Sequence, residues 1–213
     1  MKIYDFTLPL SVNSPVFPGT PKMRYEITHT VSQDHYNLGL AIINSHAGTH
    51  TDAPRHFLDD GCCLDGVDPA KYVGNAVIAD CTDKKDFDEI HSVDLKRWED
   101  KIRDCKRVLI LTGWSACANE EKYYTDYPVI TEELAQWLVD LGVVMVGVEP
   151  PSLNPPKYIE VHKILLQNGV AIVEGLTNLE KPEKDLIFFS GAPVGLKEAD
   201  GFPIRALGVD FDT

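Results

Sequence analysis

Residues 46–56 read His-Ala-Gly-Thr-His-Thr-Asp-Ala-Pro-Arg-His and hold three of the chain's seven histidines. At the average density of seven histidines in 213 residues, a window of this size would hold fewer than one. Two neutral imidazoles and a carboxylate make a three-ligand set that suits a catalytic zinc ion and leaves one position open for water. Manganese or iron accept the same donors. His46, His50 and Asp52 are the candidate ligands. The plain alternative is a polar loop that carries surface histidines, because short metal motifs also arise by chance. His56, beyond Pro54, could be a further ligand or a general acid/base, since imidazole titrates near neutrality. A solvent-exposed loop histidine is the competing reading for it.

Such donors need elements that bring them together. His46 and His50 are four apart, a spacing that shares one face of a helix. Gly48, Thr49, Thr51 and Pro54 are poor helix residues, and the residues before them alternate as a strand does. In a straight strand four residues span ~13 Å, too far for two imidazoles to meet comfortably at one ion. The sequence therefore predicts that a strand over Asn37–Ser45 delivers His46 at its end, and that a turn at Gly48 swings His50 and Asp52 back. Further strands are expected at Lys2–Leu8, Met23–Val31, Ala76–Ala79, Arg107–Leu111, Val143–Val148, Val170–Glu174, Asp185–Phe189 and Ile204–Val209. Helices are expected at Val93–Asp104 with Ser92 as N-cap, at Glu132–Leu141 between Thr131 and Gly142, and at Ile159–Gln167 before Asn168-Gly169. The class is α/β, with mixed sheets and flanking helices: an antiparallel opening and a βαβ middle. The irregular stretch Thr51–Tyr72 is long for a compact domain, which usually marks a functional loop.

Composition narrows the partners. The net charge of −13, from 33 acidic and 20 basic residues, argues against nucleic acid. MKIYDFTLPL lacks the apolar core of a signal peptide, and no apolar run approaches the ~20 residues of a membrane span. Five cysteines, an odd count without a C-x-x-C pair, read as reduced thiols in a cytoplasmic protein. With no repeat or linker, residues 1–213 read as one domain.

The window has the form H-x-G-T-H-x-D-x-P-x-H. With Asp5-Phe-Thr-Leu-Pro-Leu, Pro15-Val-Phe-Pro-Gly, Thr112-Gly-Trp, Val173-Glu-Gly-Leu-Thr-Asn-Leu and Gly201-Phe-Pro-Ile-Arg-Ala, it resembles the cyclase family of metal-dependent hydrolases over nearly the whole chain. That family includes kynurenine formamidase (arylformamidase) and isatin hydrolase. The resemblance implies a swivelling β/β/α domain that forms a homodimer or higher homo-oligomer and takes a small-molecule amide as substrate. It implies one or two divalent ions, zinc first and manganese next. His46, His50 and Asp52 match the first ion's ligands, Asp52 able to bridge to a second. His162 and Glu174 match the remaining ligands, and His56 the proton donor/acceptor. From the residues alone, His162 would read as a core histidine in an apolar helix, and Glu174 as a strand-end carboxylate either solvated or held by a partner such as a metal. The implied reaction is hydrolysis of an amide C–N bond by metal-activated water, of arylformamidase type, giving L-kynurenine and formate from N-formyl-L-kynurenine. A cyclic amide or imide hydrolase and a non-catalytic metal-binding domain are the alternatives. Phe17 stands where the formamidases resemble one another in carrying a substrate-contacting tryptophan, and Glu149 where relatives tend to carry aspartate.

Overall fold

The apolar runs at the centre of the chain are short and uninterrupted, the pattern of strands buried on both faces. A computed structural model, which describes residues 1–155 and 159–211, shows where they go. In chain order the strands are β1 (Lys2–Asp5), β2 (Arg24–His29), β3 (Leu38–Ile42), β4 (His50–Asp52), β5 (Val73–Asp80), β6 (Glu89–Ile90) and β7 (Arg107–Leu111). They continue as β8 (Val129–Ile130), β9 (Met145–Val148), β10 (Ala171–Glu174), β11 (Leu186–Ser190), β12 (Gly201–Pro203) and β13 (Leu207–Asp210). The helices are α1 (Val31–Asp34), α2 (Ser92–Leu95), α3 (Glu99–Cys105), α4 (Glu132–Asp140) and α5 (Glu160–Gln167).

Nine strands form one mixed sheet in the order β1-β13-β11-β5-β7-β9-β10-β4-β12. Its centre, β5-β7-β9-β10, is parallel, and the flanking pairs are antiparallel. Alternate residues of the parallel strands feed two cores. Val108, Ile110, Val146 and Ile172 pack with Leu134, Leu138 and Leu165 of α4 and α5. Leu109, Met145 and Val173 pack on the opposite face with Phe6, Tyr72, Leu176 and Phe189. Helix α4 starts where Thr131 accepts the Leu134 amide at 3.1 Å and is followed by Gly142 at φ +74°. These are the cap and the stop that its sequence supplies.

Several expected elements differ. The strand Leu38–Ile42 pairs only with β2, in a two-stranded ribbon outside the main sheet, and ends before His46. No strand end delivers His46; it lies in the turn that follows, while His50–Asp52 is itself a strand. The stretch Thr51–Tyr72 accordingly begins in β4 and continues through 3₁₀ turns at Pro54–His56, Leu64–Gly66 and Pro69–Tyr72. The helix expected over Val93–Asp104 is broken by a 3₁₀ turn at Lys96–Trp98, which leaves Trp98 buried with its Nε1 donating to Asp185 at 3.0 Å. Its N-cap is His91, not Ser92, because His91 and Asp94 satisfy each other's amides reciprocally. The closing strand expected at Ile204–Val209 begins only at Leu207, as β13, and a further strand, β12, precedes it at the opposite end of the sheet. All five cysteines are free, and no described helix is long and apolar enough to cross a membrane.

Candidate active site

Strand β4 runs antiparallel between β10 and β12, with His50 opposite Glu174, and Asp52 opposite Ile172 and Gly201. The two-residue period puts His50 and Asp52 on one face, and the register adds Glu174 to that face. Thr51 points the other way, donating to the Ile172 carbonyl at 2.6 Å. Two glycines make the approach possible. Gly48 at φ +60° turns the chain into β4, and Gly175 at φ +69° lies so close that an added Cβ would sit 2.5 Å from the Gly48 carbonyl oxygen.

The side chains converge. His50 Nε2 lies 3.4 Å from Glu174 Oε2 and 3.6 Å from Asp52 Oδ1. His50 Nδ1 sits 3.0 Å from the Gly48 carbonyl, a contact that fixes its proton there and turns the Nε2 lone pair to the carboxylates. His46 Nδ1 is 2.9 Å from Asp52 Oδ1. Glu174 Oε1 accepts the Leu153 amide at 3.1 Å and faces His162 Nε2 at 3.2 Å. His162 belongs to the stripe Val161, His162, Leu165 and Leu166 that α5 buries. Among the described residues, its Nδ1 is buried without a hydrogen-bond partner. His50, Asp52 and Glu174 form one trio of donors within metal-ligand reach of one another, and His46, Asp52 and His56 a second. Asp52 belongs to both trios; His162 reaches Glu174 and belongs to neither.

A divalent cation fits this donor set. Asp52 and Glu174 are buried side by side, and among the described residues neither pairs with Lys or Arg. Two buried carboxylates facing each other need cationic charge to offset their desolvation. His46, His50, Asp52, His162 and Glu174 would hold it, with His56 at the margin. Beside them opens a cavity of about 230 Å³ with Phe17, Phe57, Tyr123, Tyr124 and Pro151 in its wall. Phe17 meets Tyr124 edge-on at 5.8 Å, and the Tyr124 hydroxyl donates to the Pro15 carbonyl at 2.9 Å, which pins the proline-rich segment to the site.

Comparison with known proteins matches residues 4–155 to the model of the Cyclase family. The chain belongs to that family. Kynurenine formamidase of Bacillus cytotoxicus is 33% identical over 208 residues, spanning 95% of each chain. Its counterpart from Bacillus cereus strain ATCC 14579 is 29% identical over 213 residues, again 95% of each. Among solved structures, isatin hydrolase A of Labrenzia aggregata superposes with a TM-score of 0.84 at 23% identity, covering 97% of this chain and 93% of that one. A predicted metal-dependent hydrolase from Bacillus stearothermophilus gives 0.79 at 25% identity, covering 97% of each. The chain is a hydrolase of the cyclase family, and its fold is that of the family.

The electrostatics of this cyclase-family site follow from burial and pairing. Burial disfavours the His46 imidazolium, but the hydrogen bonds and charges of Asp52 and Asp200 outweigh it and raise its pKa to about 9 in the metal-free protein. Burial also works against the Asp52 carboxylate, yet His46, His50 and His56 hold it far below the usual range. For Glu174, burial and the Asp52 charge push upward, and His162 and His50 more than compensate. His56 titrates below an ordinary histidine because burial and the neighbouring His46 overcome the attraction of Asp52.

One side chain at the site carried no usable sequence signal, and another, Glu149, stood out only as a departure from the family resemblance. Asp200, one acidic residue in a polar loop, reaches both His46 and His56. Glu149 lies away from the donor trios, fully buried, where its carboxylate accepts from the Thr112 and Gly113 amides and from the Ser115 hydroxyl. Burial pushes its pKa up. Its task is to tie the turn after β7 to the end of β9, and Tyr123 of the cavity wall donates to its carbonyl at 2.8 Å.

Proposed function

We propose that the chain hydrolyses the amide C–N bond of N-formyl arylamines, with N-formyl-L-kynurenine as the foremost substrate, at a site of one or two divalent ions. His46, His50 and Asp52 are read as ligands of the first ion, and His162 and Glu174, with Asp52 bridging, as those of the second. The observation that carries the reading is the convergence of two buried carboxylates and three imidazoles beside an aromatic-walled cavity. Near-full-length likeness to kynurenine formamidases supports the substrate class.

A bound divalent ion, zinc or manganese, supplies an acidified water and polarises the scissile carbonyl. The chain does the rest. Phe17, Phe57 and Tyr124 offer ring faces and edges against which an aryl group stacks, excluding water from one side of the formamide. His56 lines the same cavity with its ring stacked on His46 at 3.8 Å. It takes the proton released by the attacking water and delivers it to the departing nitrogen, which is a poor leaving group until protonated. The products are formate and the free arylamine. Burial and the neighbouring His46 favour the neutral His56 ring, the form that can accept a proton. We read the five free thiols as those of a cytoplasmic protein, and a second copy of the chain as the cover for the exposed Tyr25, Ile27, Leu40 and Ile42 of the β2–β3 ribbon.

The test is a substrate panel assayed with zinc- and manganese-loaded protein: N-formyl arylamines, the matching N-acetyl anilides, and cyclic amides such as isatin. The highest kcat/KM should fall on the N-formyl arylamines. Turnover of the cyclic amides alone would replace the substrate, and absence of any turnover would replace the reading with a metal-binding domain.

A further inference from the structure

One carboxylate oxygen touches two histidines that the proposed function separates into different tasks. Asp200 Oδ2 lies 3.0 Å from His46 Nε2 and 3.3 Å from His56 Nδ1. The two rings are stacked face to face at 3.8 Å, so a single acceptor at their shared edge reaches both. The opposite edge of His46 presents Nδ1 to Asp52 at 2.9 Å. The loop that carries Asp200 is fixed beside the site. The Asp200 carbonyl accepts the Ala53 amide at 2.8 Å, and the next residue, Gly201, opens β12 opposite Asp52. Only a residue without a side chain fits there, because a Cβ on Gly201 would lie 2.7 Å from His46 Cε1. The edge strand thus presses on the His46 ring and sets Asp200 at its outer nitrogen.

We infer that Asp200 is a positioning residue that fixes the tautomers of both His46 and His56. The inference rests on the proposed roles of those two histidines. An imidazole carries its single neutral proton on either nitrogen, and a hydrogen bond to one decides which. Accepting from His46 Nε2–H keeps the proton on that nitrogen when a cation takes the place of the one shared with Asp52 at Nδ1, the form in which an imidazole ligates. Accepting from His56 Nδ1–H leaves the Nε2 lone pair free to take a proton. An unpartnered neutral histidine side chain favours the Nε2–H form, so His56 without a partner would hold the wrong tautomer for that task. One carboxylate therefore couples metal binding at His46 to proton transfer at His56. Asp200 belongs to neither donor trio and does not line the cavity; it acts through the histidines.

Imidazole ¹⁵N–¹H spectra of metal-free protein at pH 8 read the His56 tautomer directly, and competition with a chelator reads Zn²⁺ affinity. In the wild type, His56 should be Nδ1–H. In Asp200→Ala it should revert to mainly Nε2–H, Zn²⁺ affinity should fall about 10–100-fold, and kcat on an N-formyl arylamine should fall by a similar factor with KM little changed. Asp200→Asn keeps the shape and one acceptor oxygen while losing the charge, and should give smaller shifts in the same direction. If Asp200→Ala does not fold, Asp200→Asn must show them by itself. An Nδ1–H His56 and Zn²⁺ affinity within twofold of wild type in the variant would overturn the inference, while leaving a rate loss in His56→Ala intact. If His56→Ala kept full turnover, the parent reading of His56 would fail instead, and the tautomer spectra would tell the two failures apart.

Discussion

Replacing Gly201 by Ala adds one methyl group at the most crowded point of the site. The new Cβ would stand 2.7 Å from His46 Cε1, 2.7 Å from the Thr51 carbonyl oxygen and 3.2 Å from His46 Nδ1. The Thr51 carbonyl belongs to a strand paired on both sides and cannot withdraw. The His46 ring is held at both nitrogens, by Asp52 and Asp200, and can yield only by breaking one contact. Overpacking of this kind costs ~1–3 kcal/mol. For a chain of this size that is a Tm lower by roughly 2–12 °C, at about 2–4 °C per kcal/mol. Because the displaced group is a proposed ligand, Zn²⁺ affinity should also fall, by about tenfold or more. Gly195→Ala is the control, since nothing lies within 4 Å of a Cβ there and its effect should stay within about 0.5 kcal/mol. Thermal denaturation of both metal-free variants and a chelator competition make the comparison. A Gly201→Ala protein that melts and binds Zn²⁺ as Gly195→Ala does would refute the packing of β12 against His46.

His56→Ala should retain metal and lose on the order of 10²–10⁴ in turnover, and a kcat equal to wild type would remove His56 from proton transfer. Phe17→Trp should lower KM for N-formylkynurenine more than it raises kcat, since a larger stacking face and an indole N–H add binding common to substrate and transition state. Unaltered constants in Phe17→Ala would separate this ring from the substrate. In the metal-free protein the His46 pKa is raised from 6.5 to about 9, so its contribution to stability is complete below pH 6.5 and lost as pH rises through about 9. Metal must displace that proton, so affinity should rise with pH up to about 9, with proton release on binding below it. Calorimetry in buffers of different ionisation enthalpy counts the proton, and none released at pH 7 would contradict the His46–Asp52–Asp200 arrangement.

Most residues of the candidate cluster were singled out in the sequence, though their convergence was not. Histidine density within residues 46–56 marked the site, and the ordered blocks from Asp5 to Ala206 carried the family resemblance. Period-two and period-3.6 patterns located the central strands and α4 to within a few residues, because burial on both faces or along one stripe leaves a compositional trace. β4 left none. It is three residues long, and two of its members, His50 and Asp52, have side chains that serve the site, so no alternation of apolar and polar residues marks it. The ribbon β2–β3 showed the opposite failure: Leu38, Leu40 and Ile42 alternate as though one face were buried, yet all three are exposed. Alternation reports a strand, not what covers it. His162 and Asp200 were beyond local reading for different reasons. A buried histidine in an apolar helix looks like core, and a single aspartate in a turn looks like solvent-facing loop, until sequence-distant pairing sets them beside Glu174 and His46.

The central claim is that the buried cluster on β4 and β10 is a divalent-metal site on which activity depends. Metal content per chain, measured by mass spectrometry after dialysis against trace zinc, tests it most directly when wild type, His50→Ala and Asp52→Ala are run together. Wild type should retain at least one divalent ion per chain, and both variants should lose it together with turnover while remaining folded by circular dichroism. Full metal content and an undiminished rate in His50→Ala would contradict the claim, since His50 sits between both carboxylates.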